Sequence, residues 1–190
     1  MARPRTFSID DAVEKAMHVF WREGYEGAGL SELCAAMGIV RGSFYKAFGS
    51  KRALFLRVLE RYDREHVAAG VTMLHEGGGP GERRIAAVFE GGIAAARTGE
   101  GRGCLLCNTA SGPALVEEGV QEAVARQLDD LTEGFAAALA DTERFGTADA
   151  ATRLAEARRL TLAYVGLRVL GRGGAAPAML EDAVTRVLAA

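Results

Sequence analysis

Residues 30–51 read LSELCAAMGIVRGSFYKAFGSK and contain two short segments of helical apolar periodicity on either side of a glycine. Gly38 permits the positive φ that a tight turn needs after the first helix, and Ile39 can fill the turn. Phe44 and Phe48 are four residues apart, so they lie on one face of the second helix. The first segment has its own apolar face, made by Leu30, Leu33 and Cys34. This spacing predicts a helix-turn-helix unit.

The second helix of this unit would expose a polar face opposite its phenylalanines. That face holds two cations, two hydroxyls and a glycine: Arg41, Gly42, Ser43, Tyr45 and Lys46. Arginine can read guanine edges with two hydrogen bonds, and tyrosine and lysine, including Lys51, can reach backbone phosphates. The face is typical of a helix that enters the major groove of DNA, but it also suits the solvated surface of an ordinary helical bundle.

The N-terminal part of the chain is slightly basic and the remainder is slightly acidic. Residues 1–52 contain 8 Lys and Arg against 6 Asp and Glu, and residues 53–190 contain 15 against 19. This asymmetry gives weak support for a nucleic-acid partner of the N-terminal part. With 190 residues, of which 49% are hydrophobic, the chain can form one large domain or a small domain joined to a larger one.

Neither membrane insertion nor export is predicted. No apolar run approaches the roughly 18 uncharged residues of a membrane-spanning helix, and the N-terminal MARPRTFSIDDAVEK has no apolar region after its two arginines. We therefore expect a cytoplasmic protein. In that reducing compartment three cysteines should be free thiols, namely Cys34, Cys104 and Cys107.

Apolar residues recur every three or four positions along nearly the whole chain, which predicts an all-α fold. Ser8 or Asp10 can cap a first helix that stops at Gly24. The two short helices of the helix-turn-helix unit follow. Ser50 can then cap a long helix that ends at the glycine-rich segment 76–81, the clearest boundary in the sequence.

Beyond this boundary we expect five further helices, which makes about nine in all. A short helix carries the two neighbouring cysteines. Long helices follow, one with an apolar stripe from Val116 to Phe135 and one that starts at Thr147. Pro177 suits the first position of a last helix, because its missing N–H would have no helical acceptor there.

Several segments occur in a characteristic order: VFWREGY (19–25), Gly38-Ile39, GSFYKAFGSK (42–51), and then a long helix. This order resembles the tetracycline-repressor (TetR/AcrR) family of bacterial transcription factors, and the similarity is specific over about the first 60 residues. Later helices agree with the family in number and length only. One exception is RGCLLCNTA (102–110), which is similar to a Gly-Cys-Leu-Leu-x-Asn-Thr stretch of some members.

The resemblance implies a three-helix DNA-binding domain over residues 1–52, with a connecting long helix over about 50–75. It implies a helical ligand-binding and dimerisation domain over residues 53–190. It further implies a homodimer formed through the last two helices, which binds a near-palindromic double-stranded DNA operator. A small-molecule effector of unidentified chemistry would fill a cavity and release the operator, so we expect a ligand-responsive repressor.

The family's DNA-contacting positions are occupied here by Arg41, Ser43, Tyr45, Lys46 and Lys51. Arg3 and Arg5 would form a basic arm able to enter the minor groove. The chain departs from the family where hydroxyl residues usually stand, since it has Ala28 and Gly29 before the second helix and Val40 before the recognition helix. A side-chain cap is thereby absent, and each such cap stabilises a helix by about 1 kcal/mol.

The segment RGCLLCNTA (102–110) places Cys104 and Cys107 on one face of a short helix. If that helix begins at Arg102 or Gly103, Cys104 lies in its first turn, where free N–H groups and the helix dipole favour a thiolate. A thiol or electrophile sensor, a Cu(I) site and a pair of buried apolar residues are all compatible with this spacing. Zinc is disfavoured, because no histidine lies at ligand spacing from the pair.

Residues of the later helices could line the effector cavity, although the same spacing is typical of plain core. His66 and Asn108 could supply polar contacts to a ligand. The full set of candidate ligand contacts is His66, Phe89, Cys104, Cys107, Asn108, Leu128, Phe135 and Tyr164. We predict no metal site and no cofactor.

Two other classes of protein remain open. A thiol oxidoreductase could use Cys104 and Cys107, but the βαβ context of such motifs is missing and no Ser/His/Asp grouping suggests other catalysis. We therefore expect no enzymatic activity. The other class is a helical interaction module without DNA binding, for which Arg41→Ala and Lys46→Ala would leave the affinity for any duplex unchanged.

Overall fold

The computed structural model describes residues 7–98 and 101–189, and over those residues it contains nine helices and no strand. The N-terminal helices are α1 Ile9–Gly27, α2 Leu30–Met37 and α3 Arg41–Phe48. Helix α4 is continuous through Lys51–Tyr62, a π-helical turn at Asp63–Val67, and Ala68–Glu76. The later helices are α5 Gly81–Arg97, α6 Leu105–Ala110, α7 Val120–Ala140, α8 Ala150–Arg172 and α9 Pro177–Ala189. The all-α prediction is confirmed.

The helix-turn-helix unit forms as its sequence predicts. Gly38 ends α2 with φ 68°, in the left-handed region that glycine tolerates best. Phe44 and Phe48 are buried beneath α3. Helix α1 closes the unit against α4, where the Phe20 and Phe55 ring centroids lie 4.9 Å apart. Because the buried Phe44 and Phe48 hold α3 against the rest of the unit, the opposite face of α3 has a fixed orientation.

Two serine caps start helices of the N-terminal unit. Ser8 Oγ accepts a hydrogen bond from the Asp11 N–H at 3.3 Å, and Ser50 Oγ accepts one from the Ala53 N–H at 3.0 Å. Each satisfies a backbone donor that the first helical turn leaves free. Gly24 interrupts α1 with φ 74°, and one further turn continues beyond the predicted end.

One hydrophobic core joins the N-terminal unit to the middle of the chain. It combines residues of α1 to α4 with others of α6 and α7, including Phe55, Leu59, Leu106 and Val124. A second core lies among α4, α5, α7, α8 and α9, with Leu74, Phe89, Phe135, Leu160 and Leu180 buried. Helix α4 contributes to both cores and thereby connects the N-terminal unit to the C-terminal core. No helix in the described ranges has the length and hydrophobicity of a membrane span.

Three predicted helix starts were wrong by a few residues. Val116 lies in a 3-10 turn, Pro113–Val116, and is 87% exposed, because Gly119 with φ 81° separates that turn from α7. The helix predicted from Thr147 begins at Ala150, because Asp149 is its N-cap residue and accepts a hydrogen bond from the Thr152 N–H. Helix α6 begins at Leu105, which leaves Cys104 as its N-cap residue. Apolar periodicity does not locate such caps.

Glycine is required where α5 begins against the end of α7. The Gly81 N–H donates to the Asp141 carbonyl at 3.1 Å, and a Cβ on Gly81 would lie 1.9 Å from the carbonyl oxygen of Ala138. This oxygen and the Ala138 carbonyl carbon, at 2.9 Å, belong to the backbone and cannot turn aside as a side chain could. Gly91 lies on the same helix, where a Cβ would meet no atom within 4 Å.

We expect Gly81→Ala to lower the free energy of unfolding by about 3 kcal/mol, because α5 and α7 must separate to admit the methyl group. Gly91→Ala should raise it by about 0.5 to 1 kcal/mol, since alanine has the higher helix propensity and no clash occurs. Urea unfolding followed by circular dichroism measures both. Equal stabilities of the two variants would contradict this packing.

Candidate DNA-binding surface and ligand cavity

Helix α3 presents a polar, basic face to solvent. Arg41, Tyr45 and Lys46 are exposed, and Tyr45 retains 54% of its accessible surface. On the other side, Phe44 is fully buried and Phe48 nearly so. Cations and a phenol on a rigidly held helix can contact phosphates and base edges.

The other predicted DNA contacts lie beside this face. Gly42 is exposed and Ser43 is half-buried on α3. Lys51 opens α4, with its Nζ 3.5 Å from the Glu26 carbonyl oxygen and 4.6 Å from the Tyr25 ring centroid. These weak contacts leave the ammonium group able to reach an anion. The arm residues Arg3 and Arg5 lie outside the described residues.

The N-terminus of α3 has an apolar residue in place of a cap. Val40 is the N-cap residue, forms no side-chain cap and is 72% exposed. Next to it, Arg41 Nη2 donates to Ser31 Oγ at 2.9 Å, which ties α3 to α2. Gly29 likewise precedes α2 without a side-chain cap. The sequence signal at Val40 is the missing hydroxyl, and the structure adds that the apolar side chain is exposed at the start of α3.

A cavity of about 310 Å³ lies among α1, α4, α5, α6, α7, α8 and the loop that precedes α6. Much of its wall is aromatic or aliphatic and includes Trp21, Tyr62, Val88, Leu106, Leu131 and Val165. The polar and reactive side chains of the wall are His66, Arg102, Cys104, Cys107, Tyr164 and Arg168. An apolar cavity with a few convergent polar groups is the usual form of a small-molecule site.

Trp21 connects the N-terminal unit to this cavity. Its Nε1 donates to the carbonyl oxygens of Arg102 and Gly103, at 3.1 and 3.2 Å. Its ring packs edge-on against Tyr62 and His66, with centroid distances of 5.0 and 5.3 Å. His66 lies in the π-helical turn of α4, and Tyr62 directly precedes that turn. Because Trp21 of α1 packs against both side chains, a displacement of this part of α4 would be transmitted to α1.

The Cys104 thiol is held among hydrogen-bond donors. Tyr62 Oη donates to Cys104 Sγ at 3.3 Å. A hydrogen bond from Cys107, the positive charge of Arg168 and the bond from Tyr62 lower the pKa of Cys104 to about 6, although burial opposes them. The hydrogen bond with Cys104 and burial raise the pKa of Cys107. Cys104 is therefore the thiol of the pair that loses its proton more readily.

We expect Cys104 to react with iodoacetamide fastest among the three cysteines at neutral pH, because the thiolate is the nucleophile. Its rate should fall by half when the pH is lowered to about 6, as Cys104 takes up a proton. Burial raises the pKa of Cys34, so that residue should react only in alkaline solution. Mass spectrometry of the labelled peptides over a pH series measures these rates.

The control for this prediction is Tyr62→Phe, which removes one donor to the thiolate and should move the midpoint to higher pH. A wild-type midpoint near the ordinary thiol value of about 8.5 would contradict the assignment.

The structure places the candidate ligand contacts in two groups. Those that line the cavity are His66, Cys104, Cys107 and Tyr164. Phe89 and Phe135 are fully buried and pack behind Tyr164, with centroid distances of 5.7 and 6.4 Å. Leu128 packs against the N-terminal core, and Asn108 Nδ2 donates to a backbone carbonyl of the loop before α6 at 2.7 Å. None of these four residues lines the cavity.

Sequence reasoning missed Trp21, Tyr62 and Arg168 as cavity residues. Arg168 offered a signal, since it is the one charge in the segment LTLAYVGLRVL (160–170) and follows Tyr164 by one helical turn. Among residues 7–98 and 101–189, no group of three or more His, Cys, Asp or Glu side chains is placed to hold a metal ion.

Sequence relatives of this chain are bacterial regulators. A sequence model described as "Bacterial regulatory proteins, tetR family" matches residues 12–58. The HTH-type transcriptional repressor ComR of Escherichia coli (strain K12) is 43% identical over 60 residues, which cover 32% of this chain and 29% of ComR. The uncharacterized HTH-type transcriptional regulator YezE of Bacillus subtilis (strain 168) is 34% identical over 111 residues, or 58% of this chain and 57% of YezE. The chain thus spans at most 57% of the length of these two curated relatives.

A solved structure extends the similarity over the whole chain. It contains a cysteine mutant of the TetR family transcriptional regulator CifR complexed with 26-bp double-strand operator DNA. The two chains are 31% identical, with a TM-score of 0.85 and coverage of 99% of each. The fold of nearly the whole chain therefore agrees with that of a relative solved in complex with operator DNA.

Proposed function

This chain belongs to the TetR family of bacterial transcriptional regulators, and from that membership we propose that it is a ligand-responsive repressor. It binds a near-palindromic operator as a homodimer and releases it when the cavity is occupied. The observation that carries the proposal is the α3 face, on which Arg41, Tyr45 and Lys46 are exposed above two buried phenylalanines. A repressor of this kind acts on the chromosome and hence in the cytoplasm.

We assign DNA contacts to both ends of the recognition helix, α3, and to the start of α4. Arg41 and Lys46 contact base edges and phosphates, and Lys51 contacts a phosphate from the start of α4. Val40 packs on a thymine methyl, which offsets part of the missing cap. The CifR complex with operator DNA supports this orientation of the fold, since its chain aligns with nearly all of this one.

A homodimer is supported by the outward face of α8. Leu162 is 74% exposed, and Val169 and Leu170 follow two turns later at 39% and 47%. Gly166 lies between them, and a Cβ at that position would meet nothing within 4 Å. Exposed apolar side chains at helical spacing beside a glycine suit close packing against the same helix of a second copy.

Release of DNA follows from the contacts of the cavity wall. The loop before α6 holds Trp21 of α1 by two hydrogen bonds, and the π-helical turn of α4 carries His66. A ligand that displaces this wall shifts α1 and α4 together, and these helices support α3. Ligand binding then favours a dimer whose recognition helices no longer match successive major grooves.

Covalent modification of Cys104 is a second candidate trigger. The thiol lines the cavity and is activated by Tyr62 and Arg168, so an electrophile that entered would meet a thiolate. An oxidant such as diamide would instead accept the two thiol hydrogens of Cys104 and Cys107 and leave a disulfide. Either product would distort α6 beneath α4.

The test is fluorescence anisotropy with DNA from upstream of the protein's own gene, at fixed salt, before and after mild diamide treatment. We expect specific binding by the reduced protein. Loss on oxidation that Cys104→Ser abolishes would support thiol control, whereas indifference to oxidation would leave the cysteines as cavity wall. Equal affinity for this DNA, for duplexes selected from a random pool and for an unrelated duplex would contradict the proposed function.

The remaining alternatives make different predictions. A thiol oxidoreductase would lack the usual βαβ context of its dithiol, since the described residues contain no strand. Steady turnover of a thiol substrate would nevertheless establish that activity. A helical interaction module would show no dependence of duplex affinity on Arg41 or Lys46.

A further inference from the structure

Arg168 lines the cavity without a carboxylate partner among the described residues. Its Nη1 donates to Tyr164 Oη at 3.0 Å, and its Nη2 donates to the Gly103 carbonyl oxygen at 3.4 Å. A guanidinium group carries five N–H donors, so these two bonds leave donors for a molecule in the cavity.

This arrangement differs from that of three other arginines with restricted exposure, whereas Arg153, which lies away from the cavity, also donates only to backbone carbonyls of the described residues. Arg61 pairs with Glu14 and Glu65, Arg84 pairs with Asp141, and Arg159 pairs with Glu156. Withdrawing a cation from water is costly unless an anion lies beside it. The groups near Arg168 are instead the phenols of Tyr62 and Tyr164 and the sulfur of Cys104, which is the most acidic of the three and, among the described residues, the one internal anion that could compete with a ligand for Arg168.

The rest of the cavity is suited to the body of a small organic molecule. Val88, Leu131 and Val165 form aliphatic wall, and Trp21 supplies a large aromatic surface. The volume of about 310 Å³ lies at the lower end of the range for ligand sites. Two guanidinium groups line the cavity, and that of Arg102 stacks on the Trp21 ring, with its Cζ 5.2 Å from the ring centroid. Arg168 is therefore the guanidinium we assign to the ligand, and a single guanidinium suits one negative charge on an apolar body better than a phosphate dianion.

We propose that the effector is a small carboxylate whose anionic group binds Arg168 and whose apolar body packs against Trp21 and the aliphatic wall. This inference rests on the proposed function, because it names the chemical class that occupies the effector cavity. Arg168 and carboxylate geometry match in a two-point hydrogen-bonded pair. Binding would draw Arg168 away from the Gly103 carbonyl, to which Trp21 also donates. The anion would thereby loosen the loop that holds α1.

Arg168 could instead serve only to stabilise the Cys104 thiolate. The two roles differ in what happens when the thiol is removed. If Arg168 recognises a ligand carboxylate, Cys104→Ser removes a competing negative charge and should preserve or strengthen carboxylate binding. If Arg168 serves the thiolate alone, carboxylates should bind no better than neutral analogues in either protein.

The chain provides its own reporter, because Trp21 is its single tryptophan and lies on the cavity wall. Full-length protein is titrated with phenylacetate and hexanoate, and in parallel with their neutral amides, phenylacetamide and hexanamide. Each pair shares the same body and differs in charge. We expect saturable changes in Trp21 fluorescence, with each carboxylate bound at least tenfold more tightly than its amide.

Variants assign the preference to one side chain. Arg168→Gln should remove the difference between acid and amide, and Arg168→Lys, which keeps the charge but loses the two-point geometry, should retain part of it. Arg83→Gln is the matched control, since Arg83 is exposed on α5 away from the cavity, and it should retain the full preference. Thermal unfolding of each variant verifies that it is folded.

The outcomes separate this inference from the proposed function. Equal affinity for acids and amides in the wild-type protein, no saturable binding of either carboxylate, or an undiminished preference in folded Arg168→Gln would overturn the carboxylate assignment. Operator binding in the anisotropy assay would still support the repressor function in each of those cases. A carboxylate preference in a protein that binds no specific duplex would retain the site and contradict the function.

Discussion

Replacing Arg41 and Lys46 together with alanine should lower operator affinity by roughly 30-fold or more. Each side chain contributes about 1 to 3 kcal/mol when it contacts a base edge or phosphate, and about 1.4 kcal/mol corresponds to tenfold in affinity. Both side chains are exposed on α3, so their removal should leave the fold intact. Fluorescence anisotropy at several salt concentrations measures the affinity, and the salt dependence should weaken because fewer counterions are released.

The matched control removes the same charge elsewhere. Arg83 and Arg126 are exposed on α5 and α7, and their double alanine variant should bind the operator as the wild type does. If both double variants lost affinity equally, the effect would come from net charge rather than from α3. Unchanged affinity of the α3 variant would favour an interaction module that does not bind DNA.

Leu162→Arg should convert the dimer to a monomer and thereby lower operator affinity by orders of magnitude. A charge at the centre of an apolar α8 contact would meet the same charge of the second copy across a two-fold interface. One recognition helix then binds one half-site, and the energy of the second half-site is lost. Light scattering after gel filtration gives the mass, and anisotropy gives the affinity.

Val116 provides the matched control. It is another exposed apolar side chain, with 87% of its surface accessible against 74% for Leu162. It lies in the 3-10 turn before α7 and not on α8 or α9. Val116→Arg should therefore remain dimeric and bind the operator normally. A monomeric wild-type protein, or a dimeric Leu162→Arg protein, would exclude α8 as the dimer interface.

The helix-turn-helix unit was predictable because its determinants are local. The spacing of Phe44 and Phe48 selects the buried face of α3, and that choice also selects the exposed one. Gly38 adopts the left-handed conformation that its position requires. Errors arose where a short-range signal competes with periodicity, as at Gly119 and Asp149, since an apolar stripe carries no information about caps.

The cavity was only partly predictable. His66, Cys104, Cys107 and Tyr164 line it, while Phe89 and Phe135 have the same apolar periodicity and lie in the core behind it. An apolar stripe in the sequence shows that a residue faces the interior of the protein. It does not show whether that residue packs against other side chains in the core or lines a cavity. That depends on how closely neighbouring helices approach.

The sequence by itself determined the helical fold, the composition of the α3 face and the family. These follow from intervals of a few residues, over which helix geometry is constant. Only the tertiary structure decided that Trp21, Tyr62, Cys104 and Arg168 share one cavity and that Arg168 pairs with no carboxylate of the described residues. Such proximity depends on the packing of helices far apart along the chain, and both pKa values and ligand preference depend on it.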